Sequence, residues 1–248
     1  MFGQSETGKR WKIFSIAGND IFVTPFFLLL IGIFSFMGLQ AGSGATALAN
    51  VVVWAPVLFI GVLLHELGHA FAMQKFGYGA STIILHGFGG VTINRRRRNS
   101  PPGKSIAISL AGPAASLLLG LTFIGLMYSL GYTPDWPGAY MRQGEIGVAL
   151  LNTMAGINIF WAVFNMIPIN PMDGGHVVLH ALRGILDDQR KAVRYSAMSS
   201  LALIVLFVPL GIFFADPFLL IIFAAIFAYQ NWQILKQTGN GAQSRRGY

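Results

Sequence analysis

His65, Glu66 and His69 stand inside FIGVLLHELGHAFA, residues 59–72, a stretch otherwise almost wholly apolar. Four residues apart, the two histidines share one face of a helix, about 6 Å from each other along its axis. Two imidazoles at that spacing can bind one zinc ion, and the carboxylate beside them can act as general base toward a water molecule at the metal. An ionisable side chain at membrane depth costs a few kcal/mol, so such groups pair, line a wet cavity and carry function. Three on one apolar helix therefore point to a built metal site rather than to satisfied core histidines or a chance match of five letters.

A catalytic zinc takes three protein ligands and keeps one position open. A third histidine at H-x-x-G-x-x-H spacing would fall at position 75, which is Lys75. The only glutamate after the motif is Glu145, placed on the opposite side of the membrane by the topology below. His86 lies in the short stretch LHGFGG and reads as a turn residue, and Asp187 and Asp188 lie in a charged segment that reads as solvated. What remains is Asp173, in FNMIPINPMDGGH. Pro168 and Pro171 remove backbone donors and break the helix, while Gly174 and Gly175 allow tight backbone conformations. Irregular backbone at membrane depth is tolerated only where it is buried in protein or lines a cavity. An unwound segment here could turn Asp173 back toward His65 and His69.

The elements that must position these residues follow from composition. Of 248 residues, 54% are hydrophobic and 10% charged, with mean hydropathy +0.60; soluble domains carry about a quarter charged residues. There is no cysteine, hence no disulfide and no thiolate ligand. Apolar runs near 23–42, 50–74, 104–130, 146–168, 196–215 and 217–235 each approach the ~20 residues that cross a bilayer as a helix, and predict six spans. Asp216 and Pro217 make a tight turn between the last two. On that topology 16 of the 17 lysines and arginines fall on one side and only Arg142 on the other, so both termini are expected in the cytoplasm. The cytoplasmic ends of the second and fourth spans, which carry the two halves of the site, then lie at one depth. The net charge of +8 is topological, and the RRRR run 95–98 is expected to face anionic headgroups rather than nucleic acid. No signal peptide or internal repeat is legible. The expectation is one membrane-embedded domain over 1–248, with a catalytic core of about 50–184 and flanking spans at about 23–42 and 196–235.

HELGH and NMIPINPMDGG, with Asn165 eight residues before Asp173, are joined by AGPAAS (111–116) opening the third span and by the glycine-rich LHGFGGVTI. With the opening WKIFSIAGNDIFVTPFFLLL, the chain resembles the site-2 protease family of intramembrane zinc metalloproteases. The resemblance implies an all-α polytopic membrane protein with a small interfacial β-sheet, set in a prokaryotic cell membrane. It implies one zinc ion held by His65, His69 and Asp173. Glu66 takes a proton from the attacking water and later delivers one to the leaving amine, and Asn165 donates a hydrogen bond to the carbonyl oxygen as charge develops. Two positions depart from the family: His86 stands where proline is common, and Ser116 where many relatives have asparagine. His176 reads as a local structural contact rather than a fourth ligand, and His180 as a helix-surface residue.

The implied substrate is a transmembrane segment of another protein, in bacteria a tethered regulator of the anti-sigma or pro-sigma type. Cleaving a helix requires unwinding it, and unwound backbone in lipid needs hydrogen-bond partners. Residues 82–93, TIILHGFGGVTI, read as two short strands about a turn, whose edge could pair with an extended substrate; WKIFSI and DIFVTP would complete the sheet. Two rivals stand beside this reading. A catalytically silent relative would need no base at position 66, and a metal transporter would need polar residues continuing to the outer face.

Overall fold

The computed structural model describes residues 9–40, 45–87, 89–94, 96, 100–135, 146–211 and 217–243. Arg95, Arg97 and Arg98 of the basic run, the outer Arg142 and Glu145, the turn residue Asp216 and the tail arginines lie outside them. The described residues group into two compact units, 1–99 with 111–162 and 100–110 with 163–248.

In the first unit the chain opens with β1 (Trp11–Ile16) and β2 (Asn19–Val23), joined by a two-residue turn. Both turn residues, Ala17 and Gly18, have positive φ, the geometry that lets the flanking strands keep their right-handed twist. Helix α1 (Pro25–Gln40) and helix α2 (Ala45–Lys75) follow and pack on each other. Strands β3 (Thr82–His86) and β4 (Gly89–Ile93) close a four-stranded sheet of order β1-β2-β3-β4. The β1–β2 and β3–β4 pairs are antiparallel, whereas β2 and β3 are parallel because α1 and α2 intervene. Alternation in β2 sends Ile21 and Val23 inward, where Ile83 and Leu85 of β3 join them. These side chains pack on Phe27 of α1 and on Val62, Leu63, Leu67 and Ala70 of α2, so the sheet is fastened to the turns of α2 that carry the histidines. The expected strands at WKIFSI and DIFVTP and the expected hairpin are all present. His86 is the last residue of β3, paired with Gly89, rather than a loop residue.

Helix α3 (Pro102–Ser129) and helix α4 (Ile146–Asn165) bring small residues to the helix contacts. A Cβ placed on Gly68 of α2 would overlap the carbonyl of Ala111 and the methyl of Ala115, and one on Gly120 of α3 would overlap Ile159 of α4. Lipid offers no hydrophobic drive for association, so close approach through small residues supplies the packing. The large side chains point the other way: Leu118, Leu121, Phe160 and Val163 are exposed, as lipid-facing positions should be.

The second unit takes in the start of α3 and resumes at the end of α4. Residues 166–172 break the helix where Pro168 and Pro171 require it, and α5 (Asp173–Ile185) starts at once. The helix starts earlier than expected, since the two glycines at its start read as unwound backbone; an aspartate in its first turn complements the helix dipole. Helix α6 (Gln189–Gly211) follows, then α7 (Pro217–Gln243), which packs on α6. Asp188 is exposed, as expected, and caps α6 by accepting from the backbone N–H groups of Arg190 (2.8 Å) and Lys191 (3.3 Å). Those bonds hold its carboxyl below the usual range.

The protein is thus mostly helical with one small sheet. Among the described residues four stretches are long and apolar enough to cross a membrane: Val51–Lys75, Pro102–Ser129, Ile146–Asn165 and Gln189–Val208, with a shorter apolar helix at Pro25–Phe36. Replacing Gly68 by valine should force α2 and α3 apart at a cost of about 1–3 kcal/mol, read as a lower unfolding temperature in detergent. An unchanged temperature would mean that the two backbones do not meet there.

Candidate metal centre

The fourth-residue spacing on α2 does what helical geometry requires. The Nε2 atoms of His65 and His69 lie 3.3 Å apart, with the rings edge to face at 79°. Two nitrogens bound at about 2.0–2.1 Å to one tetrahedral zinc ion would stand about 3.3 Å from each other. Both imidazoles are buried, at 3% and 7% exposure, on a helix whose surroundings are apolar.

Their orientation is fixed from α3. Nδ1 of His65 lies 3.0 Å from Oγ of Ser116, which is fully buried. A proton on Nδ1, donated to that hydroxyl, leaves the Nε2 lone pair for a metal; an outer hydrogen bond of this kind sets both tautomer and ring direction. One turn earlier, a Cβ on Gly112 would overlap Nε2 of both histidines. The absent side chain is a cradle in front of the two donor atoms, and so AGPAAS earns its small residues: Gly112 opens space for an ion and Ser116 steadies a ligand. The residues present fit a zinc ion.

Glu66, 4% exposed, is held from the sheet. Oγ1 of Thr92, on β4, donates to Oε2 of Glu66 at 2.6 Å and also lies 3.1 Å from its backbone carbonyl. A Cβ on Gly90 would overlap the Glu66 side chain, so the strand's backbone passes directly against the carboxylate. Gly89, with φ +118°, keeps the neighbouring backbone clear of the Trp161 indole. Burial lowers the His86 pKa, while the nearby Glu66 charge and a backbone hydrogen bond with Gly90 act in the opposite direction. Sequence reasoning missed Thr92; its one signal was a hydroxyl residue in a glycine-rich hairpin of unknown register.

The structure therefore brings His65, Glu66 and His69 together, with Ser116 and Thr92 as their supports. The other candidates belong to the second unit. Asn165 is the last residue of α4 and Asp173 the first of α5, both half-buried. The intervening turn is tight: a Cβ on Gly174 would overlap the carbonyls of Met166 and Ile167, and one on Gly175 would overlap Ile169 and Asn170. The double glycine thus folds the break back over the start of α5. His176, in the first turn of α5, donates its backbone N–H to the carbonyl of Met172. His180 is buried, not on the helix surface as expected, because α5 presents that face to protein.

Two family profiles match the chain, Peptidase M50B-like over residues 38–155 and Peptidase family M50 over residues 137–208. The chain is 30% identical over 193 residues to sll0528 of Synechocystis sp., by name a candidate zinc metalloprotease, covering 73% of this chain and 46% of that one. It is 28% identical over 203 residues to zinc metalloprotease MJ0392 of Methanocaldococcus jannaschii, covering 79% and 52%. It is 26% identical over 183 residues to stage IV sporulation protein FB of Bacillus subtilis, covering 71% and 57%. The chain spans about half the length of these relatives. Its fold is similar to the solved site-2 protease from Methanocaldococcus jannaschii, with TM-score 0.62 and 22% identity over 92% of this chain and 95% of that one.

Ser116→Ala should weaken zinc binding about 10–100-fold, the usual cost of losing a ligand's outer partner, measured by chelator competition. Gly112→Val, which fills the cradle, should yield protein without zinc by elemental analysis. Full occupancy in Gly112→Val would place the ion elsewhere.

Proposed function

We propose, for a chain that belongs to the M50 peptidase family of site-2 proteases, the activity of an intramembrane zinc endopeptidase. The observation that carries this reading is the pair of imidazole Nε2 atoms at zinc-ligand separation beside a buried, hydrogen-bonded glutamate, on a helix apolar enough to span a membrane. Asp173 completes the ligand set, a reading supported by the resemblance of NMIPINPMDGG to the family's second motif. When bound, zinc supplies Lewis acidity, polarising the scissile carbonyl and acidifying water.

The chain's own residues do the rest. Glu66 takes the proton of the attacking water and passes it to the leaving amine. Asn165 donates its side-chain N–H to the carbonyl oxygen as negative charge grows there. Thr92 keeps the Glu66 carboxylate in place. β4 is an edge strand, and an unwound substrate segment adds to it by backbone hydrogen bonds, which replace those lost from its helix.

The wider reading has six spans and both termini in the cytoplasm of a prokaryotic cell, supported by the distribution of lysine and arginine. The 1–248 chain forms a single protease domain with its core at about 50–184. Its substrate is a membrane-tethered regulator of the anti-sigma or pro-sigma type, cut within its transmembrane segment; similarity to a sporulation protein supports a regulatory role. A silent relative is the weaker alternative, since it would have no use for Glu66.

Glu66→Gln should keep zinc and abolish cleavage of a co-expressed membrane substrate; retained cleavage would remove Glu66 from its role. Asn165→Ala should lower kcat about 10²–10³-fold, as for loss of other oxyanion donors, with zinc unchanged. Thr92→Val should slow cleavage at full zinc content, and Thr92→Ser should restore it.

A further inference from the structure

Away from the histidines, the second unit buries a second polar cluster that the mechanism does not use. Asn170 lies in the helix break, three residues before Asp173, and is 5% exposed. Its backbone N–H donates to Ser200 Oγ at 3.0 Å, and its side-chain Nδ2 donates to Ser196 Oγ at 2.8 Å and to Ser200 Oγ at 3.2 Å. Its carbonyl accepts from Nδ2 of Asn231 at 2.8 Å. Ser196 and Ser200 stand one turn apart on α6, and Asn231 is on α7. All three are at most 1% exposed. The backbone donor, the backbone acceptor and the side chain of one residue are thus each claimed by a neighbouring helix.

A wholly buried asparagine side chain is costly, and Asn231 is not even fully satisfied: its Oδ1 is buried without a hydrogen-bond partner. Its Nδ2 donates to the carbonyl of Phe227 on its own helix and, across to the break, to the carbonyl of Asn170, each at 2.8 Å. From Asn170 the chain has little freedom before Asp173. Met172 donates its N–H to Ile169 at 2.9 Å, His176 donates to Met172 at 3.0 Å, and Gly175 lies so close to Asn170 that a Cβ would overlap it. Fixing Asn170 fixes the start of α5, and with it the Asp173 backbone.

We propose that Ser196, Ser200 and Asn231 are positioning residues for the metal centre: through Asn170, α6 and α7 clamp the helix break and hold the Asp173 carboxylate at its ligand position. This rests on Asp173 being a zinc ligand. It assigns the two C-terminal helices a part in metal binding, although neither contributes a ligand.

The test uses the full chain in detergent, loaded with zinc and titrated with EDTA, alongside the visible absorption of the cobalt-loaded protein and the unfolding temperature of each variant. Asn231→Leu deletes the orphaned acceptor but also the bond to the buried Asn170 carbonyl, so its unfolding temperature should fall, by no more than that of Asn152→Ala below. The EDTA concentration that removes half the zinc should fall by about tenfold or more, within the range for outer partners of metal ligands, and the cobalt bands should shift. Ser200→Ala, a smaller change, should move both readouts the same way. Asn152→Ala removes a buried asparagine that, among the described residues, bonds the backbone of Asp135; it should lower the unfolding temperature and leave zinc retention as in the wild type. Asp173→Ala separates the two claims. If it keeps zinc, Asp173 is not a ligand and the reading beneath the proposal fails. If it loses zinc while Asn231→Leu and Ser200→Ala retain it like the wild type, the clamp is overturned and the ligand stands. Equal zinc loss in Asn152→Ala would also overturn the clamp, since the effect would then be general destabilisation.

Discussion

Polar groups that must work inside hydrocarbon have to be fully spoken for by protein, and that constraint shapes each part of this structure. Two imidazoles and a carboxylate on α2 are buried, and other elements come to them. From α3 comes a hydroxyl on Nδ1 of His65; from β4 comes a hydroxyl on the Glu66 carboxylate. Such supports reach their targets only if backbones approach closely, which explains why glycines face the site at 90 and 112 and face the helix contact at 68. In a soluble core these positions could be filled for stability. Here a methyl group at 112 would occupy the place that a metal needs.

The same constraint accounts for the helix break. Seven residues of irregular backbone between α4 and α5 would leave unpaired amides and carbonyls in lipid. Some pair within the turn, as in the bonds from Ile169 to Ile167 and from Met172 to Ile169. Asn170 is satisfied from α6 and α7. Paired serines and an asparagine on otherwise apolar helices are thus matched to one residue of the break, and their cost is offset where the chain departs from helical geometry.

What could be read from the sequence divides along a physical line. Helices α2, α3 and α4 were legible because a span is a composition as much as a pattern, and the strands because β-branched and aromatic residues alternate between glycines. His65, Glu66 and His69 were legible because their geometry is local, set by the helix itself. Thr92 and Asn231 were not, since a side-chain hydrogen bond between distant segments depends on register and helix rotation that no local rule supplies. The start of helix α5 was hidden by its two glycines: helix propensity disfavours them, yet they face backbone in so close an approach that no other residue fits. His180 was placed on the wrong face of its helix, since which face is buried depends on helix rotation that no local rule supplies.

On the proposed reading the hairpin joins two tasks, holding the base and pairing with the substrate. In many enzymes the base is fixed by a rigid core and the substrate is bound by other elements. Here β4 presses on Glu66 through Gly90 and binds it through Thr92, and β4 is also the strand at the edge of the sheet. Its other side is fastened to β3 along five residue pairs, and β3 in turn is packed on α2. A strand that adds to β4 would order the element that holds the base, so substrate pairing and placement of Glu66 are not independent events. An isolated edge strand has few restraints on its free side, and each added backbone bond narrows the positions open to Thr92. On the proposed reading an extended segment would do more than present its peptide bond: by completing the sheet it would steady the carboxylate proposed to take the proton.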